Sequence, residues 1–306
     1  MRKKELNMLC KKNGGYIAII IGIFVACFVA NKSNAESFEG LDVKADGKGE
    51  AVIFIPGLNS ASSVFTDTCA AIKSNHQCHL IQLPGFAGLA PIALDNQDFL
   101  ISMRDKIENY AQKKKLKHIY LIGHSLGGTL SLMIAQHSPE LVEKLVIIDA
   151  LPFYSAIQNP AATAELMKPQ AEQMRNMMLN QPREDYLKYG AQNLTSMSNN
   201  PARIALLTDW LKTSDSATTA NAMYSMMITD LRKPIATIKV PTLVLGAWAA
   251  YKNYGATKES TKAIFAVQYT ELKNVDIRMS ETGYHFLMWD DGNWVNQQIT
   301  EFLSKK

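Results

Sequence analysis

From Ala51 onward, short apolar runs alternate with longer stretches in which apolar residues recur every three or four positions. The runs AVIFI (51–55), CHLIQL (78–83), HIYLI (118–122), KLVII (144–148), TLVLG (242–246) and VDIRMS (275–280) have the length and composition of strands. Helical periodicity fills the intervals at 62–74, 95–115, 126–137 and 256–268, and again at 293–303. Strands separated by helices of this length predict an α/β fold with a mostly parallel sheet covered on both faces.

The alternation stops between residues 153 and 232. Helical periods continue there, no run reads as a strand, and Pro160, Pro169, Pro182 and Pro201 are read as helix punctuation. Eight methionines fall in this stretch: Met167, Met174, Met177, Met178, Met197, Met223, Met226 and Met227. They fit either a pliable apolar pocket or ordinary core. The expected organisation is a leader at 1–35, a first core segment at 36–152, a helical insertion at 153–232 and a second core segment at 233–306.

The leader rests on pattern as well. Arg2, Lys3, Lys4, Lys11 and Lys12 precede a fifteen-residue uncharged run from Tyr16 to Ala30, and Ser33 and Ala35 supply small residues for cleavage. This arrangement describes a secretory signal peptide and predicts a periplasmic or secreted protein. The alternative is an uncleaved anchor through residues 16–30, although such a run is short for a bilayer that needs about 20 residues. A lipoprotein signal at Cys27 would cut inside the apolar run.

Six of the 32 Lys/Arg and one of the 28 Asp/Glu lie in residues 1–35, leaving 26 bases and 27 acids. The formal charge of +4 therefore belongs to the leader, and no nucleic-acid partner is expected. Membrane contact is expected only if the leader stays uncleaved. Of four cysteines, Cys69 and Cys78 lie beyond the leader. An oxidising compartment permits a disulfide between them, worth about 2.5–3 kcal/mol in the chain-entropy model. The alternative is two buried free thiols. No His or acid cluster accompanies them, so neither a metal site nor a cofactor is expected.

The chemistry concentrates at LIGHSLGG (121–128). A strand runs into Gly123-His124-Ser125-Leu126-Gly127 and a helix comes next, the context a G-x-S-x-G nucleophile turn requires. Ser125 is the candidate nucleophile; the competing reading is a glycine-rich packing turn. A serine needs a base, normally histidine. His124 adjoins Ser125 but points away by strand alternation. His137 lies about 18 Å down the following helix at 1.5 Å per residue. His76, His79 and His118 belong near the opposite ends of their strands. His285, in the loop after the last strand, belongs at the same edge as Ser125 and is the candidate base.

With these residues the chain resembles the α/β-hydrolase family over essentially all of residues 50–305. IFIPGLNSASSVF (53–65) is similar to the family's oxyanion loop, with Pro56 where histidine is common. The resemblance assigns the oxyanion hole to the backbone N–H groups of Leu58 and Leu126. LIQLPGFAGLAP (80–91) is similar to a second family loop, with Gln82 in place of aspartate. The helical insertion matches the family's cap. The family usually carries its acid after the strand matched by PTLVL (241–245), near Ala249 or Ala250, and neither residue can orient an imidazole.

Other members, including many haloalkane dehalogenases, carry the acid one strand earlier, where Asp149 follows KLVII. An aspartate also occurs there in hydrolases that keep the usual acid, so Asp276 and Glu281 stay open as alternatives. Together with the leader, the resemblance implies an exported serine hydrolase of small carboxylic esters with an apolar acyl group. Lactonase, amidase and acyltransferase chemistries use the same residues. The competing class is a non-catalytic binding protein that kept the fold and lost the acid.

Overall fold

The computed structural model describes residues 35–94, 98–157 and 159–305. Apart from Ala35, the expected leader lies outside the described residues. Eight strands form one sheet: β1 (Ala35–Phe38), β2 (Leu41–Gly47), β3 (Glu50–Ile55), β4 (His76–Gln82), β5 (Ile119–His124), β6 (Val142–Ile148), β7 (Thr242–Gly246) and β8 (Val275–Met279). Their spatial order is β1-β2-β4-β3-β5-β6-β7-β8. The pairs β1–β2 and β2–β4 are antiparallel, and every pair from β4 to β8 is parallel.

The ten helices among the described residues are α1 (Thr66–Ile72), α2 (Phe99–Lys113), α3 (Leu126–His137), α4 (Ala164–Asn180), α5 (Arg183–Leu194), α6 (Pro201–Thr213), α7 (Ser216–Ile228), α8 (Lys258–Gln268), α9 (Leu287–Asp290) and α10 (Gly292–Ser304). Strand alternation divides the central residues between two cores. Ile53, Ile55, Leu121, Leu145, Ile147 and Val244 pack in one with α2, α3 and α8. Val52, Phe54, Ile122, Val146, Leu243 and Leu245 pack in the other with α1 and α10. Both faces are thus covered, which is why these strands read as continuous apolar runs. The expected α/β fold with a mostly parallel, helix-flanked sheet is the one observed.

Two features depart from the sequence expectation. The stretch 36–50, in which no strand or helix is expected, forms β2 and most of β1. The L-x-V-x-A alternation of Leu41, Val43 and Ala45 carries the signal, and Leu41 and Val43 are fully buried. Pro169 does not end a helix but sits inside α4. Its ring removes one ladder bond, to the carbonyl of Glu165, and both residues are exposed, so the lost bond falls on the solvent side of the helix. Pro182 and Pro201 do punctuate, as the residue before α5 and the first residue of α6.

Helices α4–α7 lie between β6 and β7 in the chain. The start of α7 is fastened over the loops that leave β3 and β4. Asp215 N donates to Gly85 O at 2.7 Å, Ala87 N to Ser214 Oγ at 2.9 Å, and Thr219 Oγ1 to Asn59 Oδ1 at 2.7 Å. Met226 and Met227 are buried, whereas Met177 is exposed, so these methionines do not share one role. Cys69 on α1 and Cys78 on β4 form a disulfide.

Candidate active site

The parallel strands β3, β5, β6, β7 and β8 all end at one edge, and the segments leaving them carry Leu58, Ser125, Leu126, Asp149 and His285. Between β5 and α3 the chain turns at Ser125 with φ 54° and ψ −122°, a conformation that non-glycine residues rarely adopt. Close packing holds the turn. A Cβ built on Gly127 would lie 2.0 Å from the carbonyl oxygen of Ile55, so only glycine lets α3 start against the end of β3. The N–H of Leu126 is the first of α3 and has no preceding turn to accept it. Among the described residues, neither Leu126 N–H nor Leu58 N–H donates to a protein oxygen.

The loop carrying Leu58 is set by its neighbours. Ser60 N bonds to Gly57 O at 3.2 Å, and Ser60 Oγ to Leu58 O at 3.2 Å. Gln82, the departure from the family's aspartate, braces this loop. Its Oε1 accepts from Ser62 N at 2.7 Å, and its Nε2 donates to Ser60 O at 3.3 Å and Phe86 O at 3.0 Å. An amide can accept and donate at once, which a carboxylate cannot.

Asp149 immediately follows β6 with φ 47°. Its backbone N–H donates to Leu245 O at 2.7 Å and its Oδ1 accepts from Ala247 N at 2.8 Å. The remaining oxygen, Oδ2, lies 2.6 Å from Nδ1 of His285. Both side chains are mostly covered, at 15% and 24% exposure for Asp149 and His285. The carboxylate therefore has one oxygen anchored on the neighbouring strand end and the other on the imidazole. Nδ1 so engaged leaves Nε2 of His285 free for a second partner.

The structure thus brings Asp149 and His285 together. It brings neither alternative acid to His285: Asp276 pairs with Arg278, and Glu281 pairs with Lys258. Ser125 Oγ makes no hydrogen bond among the described residues; such bonds are often long before substrate binds. The other histidines are engaged elsewhere. His79, midway along β4 and not at its end, bonds to Tyr110 Oη of α2 at 2.9 Å, and His137 to Glu108 at 3.0 Å. His76 packs at a tilt against Tyr120, and His118 precedes β5.

Several residues that shape the site carried no motif. Asp290 accepts from Tyr284 N at 3.1 Å, Ser198 Oγ at 2.6 Å and Asn199 N at 2.9 Å. Phe286 N donates to Met197 O at 2.9 Å. These bonds tie the His285 loop to the α5–α6 connection. In the segment after β7, Trp248 Nε1 donates to Ser280 O at 3.0 Å and Tyr251 is half exposed. Burial, then the charge of Asp149, pushes the Tyr251 phenol up. A surface hollow lined by Asp67, Arg203, Trp289 and Asn296 includes none of Ser125, His285 and Asp149.

Comparison with known proteins agrees with this architecture. "Abhydrolase domain-containing protein lid-1" of Caenorhabditis elegans is 30% identical over 125 residues, 40% of this chain but only 34% of that protein. A 2-hydroxy-6-oxononadienedioate/2-hydroxy-6-oxononatrienedioate hydrolase of Pseudomonas sp is 22% identical over 286 residues, 87% of this chain and 92% of the relative. A pimeloyl-[acyl-carrier protein] methyl ester esterase of Shewanella woodyi is 32% identical over 116 residues, covering 38% of this chain and 42% of the esterase.

Among solved structures, an esterase from Exiguobacterium antarcticum superposes with a TM-score of 0.70 at 16% identity, covering 87% of this chain and 96% of its own. That likeness concerns the fold. The sequence profile described as "alpha/beta hydrolase fold" matches residues 50–247, a span running from β3 through the turn at Ser125 to the end of β7, and the chain belongs to the alpha/beta hydrolase fold family.

Proposed function

We propose that this protein is an exported serine hydrolase of small carboxylic esters with an apolar acyl group. The observation that carries the reading is the 2.6 Å contact between Asp149 Oδ2 and His285 Nδ1, with the other carboxylate oxygen anchored on Ala247 N. In this reading Ser125 Oγ attacks the ester carbonyl while His285 Nε2 takes its proton. Asp149 holds the imidazole in the reactive tautomer and stabilises its charged form. The N–H groups of Leu58 and Leu126 receive the oxyanion, each worth about 3–4 kcal/mol in comparable enzymes. The alcohol then leaves with the proton from His285, and water hydrolyses the acyl-enzyme by the same route in reverse roles.

Helices α4–α7 act as the cap in this reading, supported by their fastening over the β3 and β4 loops. Export rests on the leader pattern and is supported by the Cys69–Cys78 disulfide, which suits an oxidising compartment. The second reading is a binding protein of the same fold without turnover. It is favoured by the missing hydrogen bond at Ser125 Oγ. A fluorophosphonate probe separates the two. Wild type labels and turns over p-nitrophenyl esters, while Ser125→Ala does neither; a folded wild type that resists the probe establishes the binding protein.

A further inference from the structure

His124 precedes the nucleophile, and its side chain leaves the opposite face of β5. That side chain is fully buried. Its Nε2 lies 2.9 Å from the backbone carbonyl of His285. A carbonyl only accepts, so this nitrogen carries the proton and Nδ1 the lone pair. The His124 ring centroid is 4.6 Å from that of His285 and 4.7 Å from that of Phe286.

Nδ1 is buried with no hydrogen-bond partner among the described residues. It faces the oxyanion loop: a Cβ built on Gly57 would lie 3.0 Å from His124 Nδ1 and 3.1 Å from Ser125 Cβ. One imidazole therefore touches the backbone of the base on one side and the loop of Leu58 on the other, directly behind the nucleophile. Burial holds His124 well below the ordinary histidine range, and His285 pushes it the same way. It stays a neutral donor while its neighbour takes a proton.

A buried nitrogen without a partner costs stability, and an apolar ring of similar size would fill the slot without that cost. The use of a histidine here is its bond to His285. We propose that His124 is a positioning residue, whose Nε2–H fixes the His285 backbone and whose ring sets the spacing between the base and the oxyanion loop. This rests on the reading of Ser125 and His285 as nucleophile and base. Asp149 holds the imidazole at Nδ1, and His124 holds the main chain from which that imidazole hangs.

The test is p-nitrophenyl ester hydrolysis by purified full-length protein, with rates normalised to Ser125 sites titrated by a fluorophosphonate. His124→Phe keeps a ring in the slot and deletes the donor; His124→Gln returns an amide nitrogen near the Nε2 position. The expected result is a fall in kcat of about 10- to 100-fold for His124→Phe, as for a small displacement of a reacting group. KM stays within about threefold and the acid limb of the pH–rate profile shifts. His124→Gln recovers most of kcat.

Titration restricts the rate to competent sites. If His124→Phe yields none, His124→Asn, whose amide reaches only the Nδ1 position, is read in its place and is expected to lose kcat likewise. A wild-type rate per site in either variant overturns the proposal, as does His124→Gln performing no better than His124→Phe. A wild type that resists the probe refutes the serine-hydrolase reading instead, so the two failures are distinguishable.

Discussion

Strands β6 and β7 are neighbours and end at the same edge of the sheet, yet the residues just past their C-terminal ends differ in kind. After β6 the chain enters a left-handed conformation at Asp149, whose carboxylate spans Ala247 N and His285 Nδ1. After β7 come Ala247, Trp248 and a short 3-10 turn, Ala249–Tyr254, with no carboxylate. The β7 end still contributes, because its Ala247 N–H grips the acid supplied by its neighbour. The same edge can therefore hold an imidazole with the acid on one strand and its anchor on the next. What matters is a carboxylate oxygen aimed at Nδ1, not the strand that delivers it.

The largest effect is expected at Asp149 itself. Asp149→Asn preserves the shape and removes the charge, and is expected to lower turnover of a p-nitrophenyl ester by about 10³- to 10⁴-fold. The circular dichroism spectrum and thermal midpoint should be unchanged. Turnover within a few-fold of wild type would remove Asp149 from the mechanism and erase the contrast between the two strand ends.

A smaller effect comes from placing an acid where the family usually has it. In the Asp149→Asn background, Ala250→Asp is expected to recover less than about tenfold. Ala250 lies in the 3-10 turn that Tyr251 N closes onto Trp248 O at 3.0 Å, and the amide introduced at position 149 still fills the place beside His285. Recovery close to wild-type turnover would break the comparison, since both strand ends would then serve equally.

The smallest effect keeps folding separate from catalysis. Burial pushes His79 down from 6.5 to about 4. The unfolded chain then takes up a proton near pH 6.5 while the folded chain refuses it until about pH 4. Stability is complete above pH 6.5 and falls towards pH 4, by roughly 3 kcal/mol at most. Urea unfolding at pH 7 and pH 4.5 measures this. Asp149→Asn should show the same acid loss as wild type, and His79→Gln a smaller one. An undiminished loss in His79→Gln would assign the acid sensitivity to another group.

Much of this was legible in the chain. Runs such as KLVII and TLVLG announce strands because both their faces are buried. Ser125 was legible because the turn needs glycine at fixed spacing between a strand and a helix. Asp149 was legible only as a position one residue past a strand, with Asp276 and Glu281 as rivals. Those rivals were separated by contacts: each has a basic partner of its own.

Asp290 and Gln82 were not legible in these roles. A carboxylate that receives backbone N–H groups from two distant segments, or an amide that braces two loops, leaves no periodic or spacing signal. His124 shows the same limit. Alternation turned it away from Ser125, but nothing local showed that the other side of the strand holds the His285 carbonyl.

The sequence by itself determined the alternation of strands and helices from β3 onward, the sharp turn at Ser125 and the absence of an acid after β7. These come from local rules: apolar runs, glycine spacing and residue identity. Only the tertiary structure decided which acid meets His285, what anchors it and what lies behind Ser125. Residues 124, 149, 247 and 285 are far apart in the chain. Their hydrogen bonds exist because parallel strands deliver their ends to one edge.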